Sequence, residues 1–285
     1  MNCLKSNKYR VIFCFLFLSY IFFCQSCVRM RMNAHQTEVF FKATKTVYID
    51  STLDLDGGTT HFIQTGNNNY PTLFFIHGSP GSWDAYKNYL KDTLLLKKFR
   101  LIAIDRPGFG YSNFGKSKNL FEQAHSIENS IQHFKNDKPI FLIGHSYGGP
   151  LVVKMAADKP NDYDGIIVLS GALDPAAENP EKWRLFFKIK PVRYLVPGAL
   201  RTANDELWWL KNDLKKMQPT LYKISTNVLI IHGTKDNLVP YSNVNFMKTE
   251  FTNAKTINII SIKDADHFIP WTHFEIIRNK LLELY

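Results

Sequence analysis

Cysteine is scarce and confined to one end: Cys3, Cys14, Cys24 and Cys27 are the only four in 285 residues. Disulfides and thiolate metal sites are therefore excluded from everything that follows. Also missing are a His/Cys/Asp/Glu cluster at metal-ligand spacing, a G-x-G-x-x-G in a dinucleotide context and a phosphate loop. The sequence thus implies no metal and no cofactor. No internal repeat is present, which argues against a solenoid or propeller. Acidic residues are outnumbered, 25 Asp and Glu against 35 Lys and Arg, giving a formal charge of +10. The basic residues are dispersed, several of them on faces that read as solvated (Lys211, Lys215, Lys216), and they follow no nucleic-acid motif. No nucleic-acid partner is expected.

The N-terminal end differs in kind from the rest. Lys5, Lys8 and Arg10 precede an apolar stretch from Val11 to Phe23. That is the length of a secretory signal and short of the ~20 residues of an ordinary membrane span. Gln25-Ser26-Cys27 resembles the end of a bacterial lipoprotein signal, with Cys27 as the lipidation candidate. Cys24, three positions earlier, stands where a leucine-like residue is usual. Residues 1–35 are expected to be a leader that exports the protein in a bacterium. It would hold the protein at a membrane as a lipoprotein or through an uncleaved N-terminal anchor, plain secretion being the alternative.

Residues 36–285 can bury one large core. Near-continuous apolar runs at Thr72 to Ile76, Arg100 to Ile104, Ile140 to Ile143, Gly165 to Leu169, Val228 to Ile231 and Thr256 to Ile262 alternate with helical patterns. Such runs suit parallel strands covered on both faces. The fold class is α/β, with a mostly parallel central sheet and helices on both sides. Glu38 to Ile49 and Thr59 to Thr65 alternate like an antiparallel edge pair, with a turn at Asp54 to Gly58. An insertion spans about residues 173–225, far longer than the usual connection. It is rich in Trp183, Phe186, Phe187, Tyr194, Trp208 and Trp209, with helical spacing from Asn204 to Met217.

The chemistry is carried by Gly144-His145-Ser146-Tyr147-Gly148, which follows the strand ending at Ile143 and precedes a helix from Pro150 to Ala157. A G-x-S-x-G in that context is the pattern of a nucleophile elbow, whose tight turn strains the serine and requires small neighbours. Ser146 is the candidate nucleophile. A serine hydroxyl needs a base, and the base an orienting carboxylate. Downstream histidines are His232, His267 and His273. His267 alone lies in a loop after the last strand, whereas His232 reads as a strand end and His273 as part of a terminal helix from Trp271 to Leu282. Asp236, in the turn after the strand ending at His232, is the preferred acid. Asp174 is a second candidate, and Asp266 is too close in sequence to His267. Two backbone N–H groups should face the developing oxyanion. Tyr147 would supply one and Ser79, in His77-Gly78-Ser79-Pro80-Gly81, the other. Trp83 either reaches the pocket or begins the following helix.

These motifs together resemble the α/β-hydrolase fold family, in particular its lidded H-G-x-P branch of esterases and proline iminopeptidase-like enzymes. Asp105-Arg106-Pro107-Gly108-Phe109-Gly110-Tyr111-Ser112 is similar to that branch's D-x-P-G-x-G-x-S turn and reads as structural. The resemblance implies an α/β-hydrolase fold with a helical cap. Its activity would be that of a serine hydrolase cleaving a carboxylic ester of a small molecule through a Ser-His-Asp triad and an acyl-enzyme. Alternatives are an aminopeptidase of the proline iminopeptidase type, or an acyltransferase or perhydrolase using the same triad. Related dehalogenases and epoxide hydrolases carry aspartate at the elbow, which Ser146 argues against.

Overall fold

The computed structural model describes residues 2–26, 30–55 and 58–285; Cys27 lies outside them. The strands are β1 (Tyr48–Leu55), β2 (Gly58–Thr65), β3 (Thr72–Ile76), β4 (Arg100–Ile104), β5 (Ile140–His145), β6 (Gly165–Leu169), β7 (Asn227–Gly233) and β8 (Thr256–Ile262). They form one eight-stranded sheet in the order β1-β2-β4-β3-β5-β6-β7-β8. β1 and β2 pair antiparallel, β2 joins β4 antiparallel, and the remaining pairs are parallel. The principal helices are α1 (Asn2–Ser26), α2 (Ala34–Ala43), α5 (Leu120–Gln132), α6 (Gly148–Asp158), α7 (Gly198–Met217), α8 (Ser242–Glu250) and α10 (Phe274–Leu282). Single turns α3 (Lys87–Leu90), α4 (Thr93–Leu96) and α9 (Ile269–Thr272) complete the set.

Alternation along the parallel strands divides the core in two. Phe74, Ile76, Ile102, Ile104, Leu142 and Val168 pack on one face with Ile127, Leu151 and Met155 of α5 and α6. Leu73, Phe75, Leu101, Ala103, Ile143 and Ile167 pack on the other with Trp83, Tyr89, Ile277 and Leu281. Both faces are sealed from water, so these strands are apolar at nearly every position. Registers Ile76↔Gly144, His145↔Leu169 and Leu169↔Ile231 keep the carboxyl ends of β3, β5, β6 and β7 level. The loops that follow therefore emerge along one edge of the sheet, where open α/β sheets place their ligands.

The sheet edge and the terminal helix differ from expectation. The stretch from Glu38 to Ile49 is not a strand. Asn33 Oδ1 accepts the Gln36 N–H at 2.9 Å while Gln36 Oε1 accepts the Asn33 N–H at 2.9 Å. This reciprocal cap nucleates α2, and Thr37 and Phe41, four apart, form its buried side. The edge hairpin does exist, but its first strand begins at Tyr48. Of the two alternatives for Trp83 the second holds: it begins a 3₁₀ turn, is fully buried, and stacks on Phe41 with centroids 6.0 Å apart. The terminal helix is also broken at His273, which separates α9 from α10.

Between β6 and β7 the insertion holds 3₁₀ segments at Lys182–Lys188 and Val192–Leu195, then α7, then a further 3₁₀ segment at Gln218–Lys223. The first two bury no residue fully, and Trp183, Leu185, Phe186 and Ile189 stay exposed. α7 behaves differently: Leu210, Leu214 and Met217 enter the core beside α5 and α6. α1 touches the insertion through Tyr20 Oη, which donates to the Leu195 carbonyl at 2.9 Å. Much of its apolar surface, including Phe13, Phe15 and Phe22, is exposed. Among the described residues no helix is long and apolar enough to cross a membrane.

Candidate active site

Ser146 sits between β5 and α6 with φ +54°, a left-handed conformation that costs a non-glycine residue on the order of 1 kcal/mol or more. The flanking glycines explain how the turn closes. A Cβ on Gly144 would lie 2.1 Å from the Gly148 carbonyl oxygen, and one on Gly148 would lie 2.2 Å from the Ile76 carbonyl oxygen. Both obstacles are backbone and cannot rotate away. The β3 loop also approaches the elbow, since a Cβ on Gly78 would stand 3.0 Å from Ser146 Cβ. The half-buried Ser146 is thus held on the elbow, directly against the 77–81 loop.

His267 and Asp236, 31 positions apart, come together. His267 Nδ1 meets Asp236 Oδ2 at 2.8 Å, both side chains almost wholly buried. Asp236 Oδ1 also accepts the N–H groups of Leu238 at 3.0 Å and Val239 at 2.8 Å. Burial pushes the Asp236 carboxyl up, but the His267 and Val239 hydrogen bonds outweigh it and hold the group below the usual carboxylate range. An ionised Asp236 fixes the proton on Nδ1 and leaves Nε2 as the basic nitrogen. Ser146 Oγ makes no hydrogen bond to a described residue, His267 included. Nucleophile–base contacts are commonly long without substrate and tighten in the complex.

The competing residues fall elsewhere. Asp174 Oδ1 caps its own turn through the Ala176 N–H at 2.8 Å, and Asp266 Oδ1 accepts the Phe268 N–H at 2.9 Å. His273 pairs locally with Thr272 Oγ1. His232, buried, has its Nε2 at 2.9 Å from the Val239 carbonyl, bracing the turn that presents Asp236.

The two expected oxyanion donors are available. Among the described residues neither the Ser79 nor the Tyr147 backbone N–H is engaged in a hydrogen bond. The Ser79 N–H shares a trans peptide with the Gly78 carbonyl, so it points the opposite way. That carbonyl is held on two sides, by Arg106 Nη2 at 2.9 Å and His77 Nδ1 at 2.7 Å. His77 Nε2 in turn accepts the Arg106 backbone N–H at 3.0 Å. Burial, with Arg106 alongside, drives the His77 imidazole well below its ordinary value, so it stays neutral in the tautomer that donates from Nδ1.

His145, Arg106 and His77 were not singled out from the sequence as working parts of the site. His145 Nε2 lies 3.0 Å from the His267 carbonyl oxygen, tying the elbow to the loop that carries the base. Burial, reinforced by the nearby His267, lowers His145 to about 3, so it remains a neutral donor. Its ring also stands edge-on to Trp271, 5.2 Å between centroids. A titratable residue adjoining the candidate nucleophile was the available signal. Arg106 occupies the variable position of the turn read as structural. Asp105 does close that turn, accepting the N–H groups of Trp83 and Tyr111, each at 2.8 Å.

Comparison with known proteins agrees with the fold. A family model described as the alpha/beta hydrolase fold matches residues 71–194. The bifunctional esterase/perhydrolase DCH of Acinetobacter calcoaceticus is 26% identical over 271 residues, covering 80% of this chain and 96% of the relative. Epoxide hydrolase 1 of Caenorhabditis elegans is 31% identical over 110 residues, 38% of this chain but only 26% of that longer protein. Among solved structures, a bacterial membrane phospholipase A superposes with a TM-score of 0.66 at 18% identity, covering 98% of both chains. The sheet order and the matched segment show that the chain has the α/β-hydrolase fold.

Proposed function

We propose that this hydrolase cleaves a carboxylic ester of a small molecule by two-step acyl transfer. The observation that carries the reading is the strained Ser146 on its elbow, with the Asp236–His267 pair tied to that elbow through His145 and with two unengaged N–H groups. His267 Nε2 takes the Ser146 proton as Oγ attacks the carbonyl carbon, and the Ser79 and Tyr147 N–H groups receive the negative charge on its oxygen. The imidazolium, stabilised by Asp236, then protonates the leaving alcohol. Water, deprotonated by His267, attacks the acyl-enzyme and releases the acid. In a Ser146→Ala variant turnover of a p-nitrophenyl ester should fall by about four or more orders of magnitude with an unchanged thermal melt. Retained turnover would remove the nucleophile assignment.

A second outcome for the acyl-enzyme is favoured by the relative named an esterase/perhydrolase. Peroxide or an alcohol would then compete with water, and product analysis with these nucleophiles present separates the readings. An aminopeptidase has less support. Recognising a free amine calls for an available carboxylate, whereas Asp205 and Glu206 of α7 are already paired with Arg193 and Arg106. Nor does the epoxide-hydrolase relative change the reading, because Ser146 occupies the elbow position at which such enzymes carry aspartate.

The reading extends to the N-terminus: residues 1–35 export the chain and Cys27 receives a lipid. In support, α1 leaves large apolar side chains uncovered. Incorporation of an alkyne-tagged fatty acid should be lost in Cys27→Ser; labelling that persists there would refute it.

A further inference from the structure

The buried Arg106 does more than hold a turn. Its guanidinium donates from Nη1 to Glu206 Oε2 at 2.8 Å and from Nη2 to Glu206 Oε1 at 2.8 Å, a parallel two-point pair 100 residues apart in sequence. Glu206 lies on α7, within the β6–β7 insertion, and neither side chain reaches solvent. Gln123 of α5 closes the group: its Oε1 accepts from Arg106 Nη1 at 2.6 Å, and its Nε2 donates to Glu206 Oε2 at 2.8 Å and to the Lys118 carbonyl at 2.9 Å.

The same guanidinium touches both halves of the oxyanion site. Nη2 holds the Gly78 carbonyl, and through that planar peptide it fixes the direction of the Ser79 N–H. Arg106 Cζ also lies over the ring of Tyr147, the residue that provides the other N–H, at 4.7 Å from the ring centre. A buried ion pair adds little net stability but enforces one geometry, because any other arrangement strands a charge away from water. Two fixed donors matter for rate because they stabilise charge that exists only as the carbonyl is attacked.

We propose that Glu206 and Arg106 are a positioning pair through which the seated insertion sets the oxyanion site, so that the site is complete only when α7 is docked. The inference rests on the acyl-transfer reading above. On it, substrate binding depends on the pocket and the rate of acylation depends on the pair. A residue serving only to stabilise the fold would lower the melting temperature and the fraction of competent molecules without altering turnover per competent site.

The experiment compares Glu206→Gln, Glu206→Ala and Arg106→Lys with wild type in the full chain, each preparation titrated with a fluorophosphonate to count competent sites. Turnover per titrated site should fall about 10- to 100-fold while KM moves less than about twofold. Inhibition by a phenylboronate, which becomes a tetrahedral anion at the serine, should weaken in parallel. Arg106→Lys keeps the charge but loses the two-point fork, so it reports even where the Glu206 variants fail to fold. Turnover per site within twofold of wild type in any folded variant that breaks the fork overturns the proposal. Wild-type protein that does not titrate, or Ser146→Ala that still turns over, would instead overturn the acyl-transfer reading.

Discussion

The sheet edge and the insertion above it are built by opposite means. Along β3, β5, β6 and β7 apolar side chains fill both faces, the registers are fixed, and the loops that leave them are held by backbone contacts closer than a methyl group could enter. The 3₁₀ segments between Lys182 and Leu195 bury no side chain fully, and the insertion grips the body through α7 and the Gln218–Lys223 segment, by Leu210, Leu214, Met217 and Leu221 and by the Arg106–Glu206 pair. The candidate catalytic residues thus sit on tightly packed turns, while the first segments of the insertion are loosely packed. Local stability in proteins is drawn unevenly in this way, and mobile ligand-facing segments come from its low end.

This contrast can be broken from below. Gly148→Ala places a methyl group against the Ile76 carbonyl, and no rotamer relieves it. The expected cost is about 3 kcal/mol, at the upper end of overpacking penalties, which corresponds to a melting temperature lower by roughly 6–12 °C. Calorimetry of the variant checks this, and an unchanged melt would show that the elbow is not tightly closed.

A smaller effect sharpens the comparison through pH. His145 is buried neutral and lowered to about 3, against 6.5 for an exposed imidazole. The unfolded chain binds a proton there that the folded chain refuses, so this contribution to stability is complete above pH 6.5 and is lost as pH falls towards 3. His145→Gln removes the titration and keeps a donor for the His267 carbonyl. The slope of unfolding free energy against pH across that window should drop by up to about 1.4 kcal/mol per pH unit. An identical slope would place His145 outside the buried junction.

The smallest effect is expected above the sheet. Trp183→Ser, at a residue 51% exposed, should change stability by no more than about 0.5 kcal/mol in denaturant titration. A drop of several kcal/mol would mean that this segment is packed as firmly as the strands.

What could be read from the residues follows the same division. The apolar runs marked β3, β4 and β6 at their observed bounds, since a strand buried on both faces has little freedom in composition. Ser146, Asp236 and His267 stood out as candidates because each follows a strand, and the structure brings Asp236 and His267 together. α2 was misread because the alternation from Glu38 onward resembles a strand, whereas the Asn33–Gln36 cap that decides the matter is a local hydrogen-bond exchange. Arg106 and Glu206 were out of reach for another reason: no spacing rule joins two charges 100 residues apart. A trace was present, since Glu206 and Asp213, seven apart, share one helical face with Ala203 and Leu210, where acids among buried apolar residues call for partners.

The central claim is that side chains from three loops make one alcohol reactive, and covalent labelling addresses it directly. A fluorophosphonate incubated with the full chain should attach once, at Ser146 by peptide mass mapping, and His267→Ala should slow attachment by about three orders of magnitude or more while preserving the fold. Attachment at another residue, or an undiminished rate in the folded His267→Ala protein, would contradict the account.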